Sequence, residues 1–115
     1  KVLGNGTQQK IYIHVDELTK AMLFINENAS QGLNYFNIGP EDLGVSVKTI
    51  AEETVKRVAP NAKITYQKSD KGWVGDVPRF SYSVDKLKSL GWEPKFSSID
   101  AVIKAIDQIA KQEGY

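Results

Sequence analysis

Three apolar stripes at helical spacing, each cut off by glycine or proline, restrict what this chain can fold into more than any other feature. Val15, Leu18, Met22 and Ile25 recur at the period of an α-helix. Val47, Ile50, Ala51, Thr54 and Val58 repeat the pattern, and Ile99, Val102, Ile103, Ile106 and Ala110 repeat it again. Start and stop signals bracket these stripes. Asp16 is placed to cap the first helix, which runs to about Asn28 before Ser30-Gln31-Gly32 breaks it. Ser46 is placed to cap the second, and Pro60 stops it. Ser97 or Ser98 caps the last. A shorter helix opens at Ser83 and ends at Gly91, where a left-handed C-cap belongs.

Short strands are expected between the helices. "KVLGNG" and "QKIYIHV" read as strand, turn, strand, with Gly4-Asn5-Gly6 supplying the positive φ of a tight turn. "LNYFNIG" reads as a strand bounded by Gly39-Pro40, and "KITYQ" as a short one with Ile64 and Tyr66 on one side. "SDKGWVGDVPRF" reads as loop. The expected fold is a small mixed α/β unit with short strands and about four helices, one domain over residues 1–115. The stretch "GWVGDVPRFSYSVDKLKSLGW" holds both tryptophans, three glycines and a proline of buried type, Pro78. A plain surface loop needs none of these; a loop that closes over something uses them.

Composition narrows the function classes. The net charge of +1, from 15 basic and 14 acidic residues, gives no footprint for nucleic acid and no polybasic patch for a membrane. No apolar run approaches the ~20 residues of a membrane span. The opening "KVLGNGTQQK" has no apolar core of a signal peptide, and the absence of cysteine excludes disulfides and fits a cytoplasmic setting. The chain starts at Lys1 rather than Met, as a processed chain or a piece of a longer one would.

Several chemistry-like patterns fail on inspection. Gly4-x-Gly6-x-x-Gln9 approaches the dinucleotide fingerprint but lacks its third glycine and is followed by a strand, whereas a pyrophosphate needs a helix N-terminus there. Tyr82-x-x-x-Lys86 has the spacing of an acid/base pair in which the lysine lowers the tyrosine pKa, yet Tyr82 precedes its helix. His14 is the sole histidine, with no nucleophile placed to use it, and reads as a local hydrogen-bonding group. Asp16 and Glu17 are adjacent and do not face each other on a helix, and acids suit a helix start anyway. No metal-ligand cluster is evident, so no catalytic residue and no metal site is assigned.

Taken in series, three segments resemble the extended short-chain dehydrogenase/reductases, the NAD-dependent nucleotide-sugar epimerases and dehydratases. "LGNGTQQKIYIHVDELTKAML" resembles their glycine-rich turn, basic residue and I-H-V-x-D segment. "YFNIGPEDLGVSVKTIAEE" resembles their Y-N-I-G strand and following S-V helix. "GWVGDVPRFSYSVDKLKSLGWEPKFSSIDAVIKAI" resembles their closing G-D loop and L-G-W-x-P helix end. The likeness covers nearly the whole chain, and the UDP-glucose 4-epimerase-like subgroup is the nearest in pattern.

The resemblance implies a C-terminal nucleotide-sugar-binding subdomain. It assigns Lys10 and Lys71 to phosphates, Tyr12 beside the phosphates, Asp76 to the nucleotide and Phe80 to the sugar wall, with Trp73 on the same loop. It makes Gly91-Trp92 structural. This sequence departs from the family at Lys10, where an arginine stands, at Ile11, where an acid stands, and at Trp73, where the epimerases carry arginine. Lysine meets phosphate as a point charge rather than a two-pronged fork. The family's Rossmann half and its catalytic Tyr-x-x-x-Lys helix lie N-terminal to the matched region and are missing here. No cofactor is therefore expected on this chain alone, NAD being expected for the parent enzyme. The implied partners are a UDP-sugar and the parent's Rossmann domain. The alternatives to a subdomain of an NAD-dependent sugar epimerase are part of a nucleotide-sugar dehydratase, or a non-catalytic binding or interaction module whose exposed apolar face pairs two copies into a homodimer.

Overall fold

The computed structural model describes residues 1–30, 32–77 and 79–115. Gln31 of the expected helix break and Pro78, expected to be buried, lie outside the described residues. In chain order the elements are β1 (Gln9–Lys10), α1 (Val15–Asn28), β2 (Val45–Ser46), α2 (Val47–Val58), α3 (Asp85–Ser89) and α4 (Ser98–Glu113). The fold is thus mixed α/β, with four helices and a two-stranded antiparallel sheet pairing Gln9 with Ser46 and Lys10 with Val45.

The helix ends follow from local chemistry. Ser46 caps α2 by accepting the Thr49 N–H at 3.0 Å. Ser97, not Ser98, caps α4, in a reciprocal box with Asp100. Helix α3 ends as expected: Gly91, at φ +98°, donates to the Lys88 carbonyl, and the Trp92 N–H reaches the Leu87 carbonyl. This paired closure satisfies carbonyls the helix end would otherwise orphan. Helix α1 differs from expectation. Its cap is His14, whose Nδ1 accepts the Asp16 N–H at 3.2 Å, so Asp16 belongs to the first turn.

The strand expectations are largely overturned. A type I′ hairpin turn, the form that Asn-Gly favours, needs positive φ at both central residues. Here Gly4 and Gly6 are positive, but Asn5 between them is not, and its side chain instead accepts the Thr7 N–H at 3.0 Å. The first residues consequently run alongside 65–69 rather than against 9–13. Val2 donates to Thr65, Gln67 to Gly4 and Asn5 to Ser69. That pairing uses up "KITYQ" without forming a regular ladder. "LNYFNIG" is not a strand either: among the described residues its backbone finds no neighbour to bond, and a strand needs one. Leu33 and Tyr35 stand exposed along it.

Ala21, Val45, Val84, Leu87, Ala101 and Val102 form the buried apolar core, and α2 lies against α4. On α1 the inward face turns toward Glu17, Ala21 and Phe24, leaving Val15 and Met22 of the expected stripe exposed. Glu17 is buried because its carboxylate accepts the Lys95 N–H. The molecule measures 52 × 34 × 18 Å with a radius of gyration of 16.6 Å. A self-contained domain of this length has a radius of about 13 Å. No described helix is long and apolar enough to cross a membrane.

Candidate functional site

Two residues 66 positions apart meet. The Lys10 ammonium donates to Asp76 Oδ1 at 2.7 Å. Lys10 is placed there by the β1–β2 pairing, and Gly44 makes that pairing fit. A Cβ on Gly44, at φ +77°, would sit 2.3 Å from the Lys10 carbonyl oxygen. Asp76 is placed by a tight turn in which its N–H donates to the Trp73 carbonyl at 3.1 Å. Its second oxygen accepts the Gly72 N–H at 3.3 Å and faces the Gln8 amide. The Lys10 hydrogen bond holds the Asp76 carboxyl below the usual carboxylate range, against the opposing effect of desolvation.

Sequence reasoning missed Gln8. It is 2% exposed, and its amide nitrogen lies where a Cβ on Gly4 would fall, at 2.4 Å. Its Oε1 has no partner among the described residues. Nothing in the sequence marks it beyond its place two residues before Lys10.

The other expected site residues do not all converge on this pair. Trp73 stands exposed on the Asp76 turn, its ring over Gly75, where a Cβ would come within 2.4 Å of it. Lys71 is exposed, its N–H donating to Ser69 Oγ at 3.1 Å. Phe80 is partly exposed and stacks on Tyr82, with centroids 6.0 Å apart and planes at 21°. Tyr12 is elsewhere: it lines a cavity of about 310 Å³ with His14, Val102 and Ile109, between the start of α1 and α4.

A second polar cluster, also missed, ties that region down. Asp42 accepts the Ser98 N–H at 2.6 Å, the Ser98 hydroxyl at 2.7 Å and the Gly44 N–H at 2.7 Å. Ser98 Oγ in turn accepts the Tyr12 N–H at 3.0 Å. Burial raises the Asp42 carboxyl, but the donors from Ser98 and Gly44 outweigh it and leave the group below its ordinary range.

The catalytic look-alikes take structural roles. His14 is buried; Nδ1 accepts the Asp16 N–H, so Nε2 carries the proton and donates to Gln108 Oε1 at 2.6 Å. Asp16 pairs with Lys104 at 2.8 Å and Glu17 turns inward, so the two acids do not act together. Lys86 sits 4.5 Å over the Phe36 ring, and desolvation, then Asp42, pushes the Tyr82 phenol above its ordinary range rather than below it. Among the described residues no group of acids and histidine could hold a metal. Nor does the segment at Gly4 fit a dinucleotide. The element after it is β1, and Cβ atoms on Gly4 and Gly6 would strike Gln8 and Tyr66, so these glycines serve internal packing.

No family model matches the chain. It is 32% identical over 101 residues to the putative GDP-L-fucose synthase 2 of Arabidopsis thaliana, covering 88% of this chain and 29% of that protein. It is 32% identical over 114 residues to GDP-L-fucose synthase 1 of the same plant, covering 96% and 32%. The dTDP-D-glucose 4,6-dehydratase of Mus musculus is 24% identical over 112 residues, covering 94% and 31%. A crystal structure of UDP-galactose 4-epimerase superposes with a TM-score of 0.71 at 28% identity, covering 92% of this chain and 34% of that one. The chain spans about a third of the length of the relatives it matches.

Proposed function

This chain is homologous to part of the extended short-chain dehydrogenase/reductase enzymes, and from that premise we propose that it is a nucleotide-sugar-binding subdomain. The ligand class is a nucleoside diphosphate sugar. The relatives' names carry GDP, dTDP and UDP in turn, so the diphosphate is their common element. Lys10 meets the phosphates, Asp76 the nucleotide, Phe80 the sugar, and Trp73 and Lys71 flank the loop. Tyr12 lines the cavity between the start of α1 and α4 and is given no ligand contact in this reading. The observation that carries the proposal is the Lys10–Asp76 contact, which joins the residues assigned to phosphate and nucleotide across 66 positions.

The parent reaction is NAD-dependent chemistry on the sugar, and no step of it is assigned to residues of this chain. The flat shape and the exposed Leu33, Tyr35, Leu43 and Val74 support a larger body that covers this plate, in the place of a Rossmann domain. Calorimetric titration with UDP, GDP and dTDP tests the binding role. Replacing Lys10 by Met is expected to weaken the tightest of them at least about tenfold, the worth of a charge-assisted hydrogen bond. Equal affinity in wild type and K10M overturns the assignment.

The same exposed apolar surface favours a second reading, an interaction module in which two copies cover one another. Light scattering separates them: a stable dimer indifferent to all three nucleotides supports the module.

A further inference from the structure

We propose that Asp76 masks Lys10, so that the site accepts a ligand carrying both a phosphate and a hydroxyl donor and turns away free phosphate or pyrophosphate. This rests on the nucleotide-sugar reading and adds a selection rule to it.

The two partners are held unequally. The Asp76 side chain is 7% exposed and the Lys10 side chain 36%. Asp76 Oδ2 accepts the Gly72 N–H at 3.3 Å, and the amide of Gln8, itself almost wholly buried, lies beside the carboxylate. Oδ1 has Lys10 as its partner, at 2.7 Å. The carboxylate is therefore the fixed member and the long lysine side chain the movable one.

A bare phosphate approaching this pair meets a cation already bound to a carboxylate. To take Lys10 it must strip the proton donor from Oδ1 and rest its own negative charge beside an unpaired, nearly buried carboxylate. Both consequences oppose binding. A ligand that also presents a hydroxyl changes this. Its O–H donates to Oδ1 as Lys10 swings to the phosphate, so every polar group keeps a partner and the exchange leaves no orphan. A nucleoside diphosphate offers both groups, through its ribose diol and its diphosphate. Asp76 thus sets specificity by refusing half-ligands as well as by contacting the whole one.

Calorimetry on the full chain tests this with four titrations. Wild type is expected to bind UDP, and to bind pyrophosphate and 2′,3′-dideoxyuridine diphosphate at least about tenfold more weakly. In D76N the amide cannot hold Lys10 as a charged partner. Pyrophosphate affinity is then expected to rise roughly fivefold, the factor that corresponds to releasing one modest ion pair. If UDP binds wild type but the dideoxy analogue binds equally well, masking is overturned and the nucleotide reading stands. If D76N folds and leaves pyrophosphate affinity unchanged, masking is likewise overturned. If wild type binds no UDP, both readings fall. The dideoxy comparison needs no variant, so it can overturn masking even where D76N is unstable.

Discussion

Asp42 and Ser98 stand 56 residues apart and meet twice: one carboxylate oxygen accepts the Ser98 N–H at 2.6 Å and the other its hydroxyl at 2.7 Å. Through them the loop before β2 is fastened to the first turn of α4, and Ser98 passes the connection to the Tyr12 N–H at 3.0 Å. Removing the carboxylate leaves donors of Ser98 and Gly44 without an acceptor in a half-buried place. Asp42→Ala is therefore expected to cost about 2–4 kcal/mol in urea unfolding, and Asp42→Asn less. A loss within ~0.5 kcal/mol, usual for an unremarkable surface change, would show that the cluster carries no stability.

His14 joins α1 to α4 by capping one and donating to Gln108 of the other. Alanine removes both contacts and is expected to cost about 1–2 kcal/mol, the worth of a lost cap. Asparagine caps helices well but is too short to keep the distant bond, so H14N should recover part of the loss. Equal unfolding midpoints for H14A and H14N would contradict the capping role.

Gly44 holds the backbone that presents Lys10. An alanine there meets the Lys10 carbonyl oxygen at 2.3 Å and must adopt φ +77°. G44A is expected to cost at least about 2 kcal/mol and to loosen the β1–β2 pairing. Hydrogen exchange at β1 should accelerate in the variant; unchanged protection there would contradict the close approach.

Acid should weaken the fold in a defined window. Asp16, Asp42 and Asp76 lie below an ordinary value of 3.8, and Glu41 below 4.5. Lys104, Lys10 and Lys88 hydrogen bonds are the chief lowering causes for Asp16, Asp76 and Glu41, and the Ser98 donors for Asp42. A lowered folded pKa means stability that is complete above the unfolded value and lost as pH falls through the folded one. Thermal midpoints should hold steady down to about pH 5 and then drop progressively toward pH 2. D42N should show a shallower drop. A midpoint that rises on acidification would contradict these pairings.

Much of the fold was written locally. Ser46, Gly91 and the Ser97–Asp100 box mark helix ends by short-range bonds that residue type announces. What no period reveals is the partner of an extended segment. Residues 1–5 look like half of a hairpin until Thr65, Gln67 and Ser69 take their hydrogen bonds. "LNYFNIG" has the alternation of a strand and no neighbour among the described residues to make it one. Helix α1 turns Glu17 inward because a distant N–H, that of Lys95, receives its carboxylate, against what hydrophobicity alone would place there. At the site, the resemblance named Lys10 and Asp76, but their mutual contact and the supporting Gln8 came from the tertiary structure alone. Tyr12, named with them, lines the cavity between the start of α1 and α4.

The most direct test of nucleotide-sugar recognition is an NMR titration of the chain with UDP, following the indole N–H signals of its two tryptophans. Trp73 lies on the Asp76 turn and Trp92 at the end of α3, so one reports on the site and the other on the fold. A saturable shift of Trp73 with Trp92 unmoved is the expected result. No shift of Trp73 at millimolar UDP, or equal shifts of both, would contradict a nucleotide site at Lys10 and Asp76.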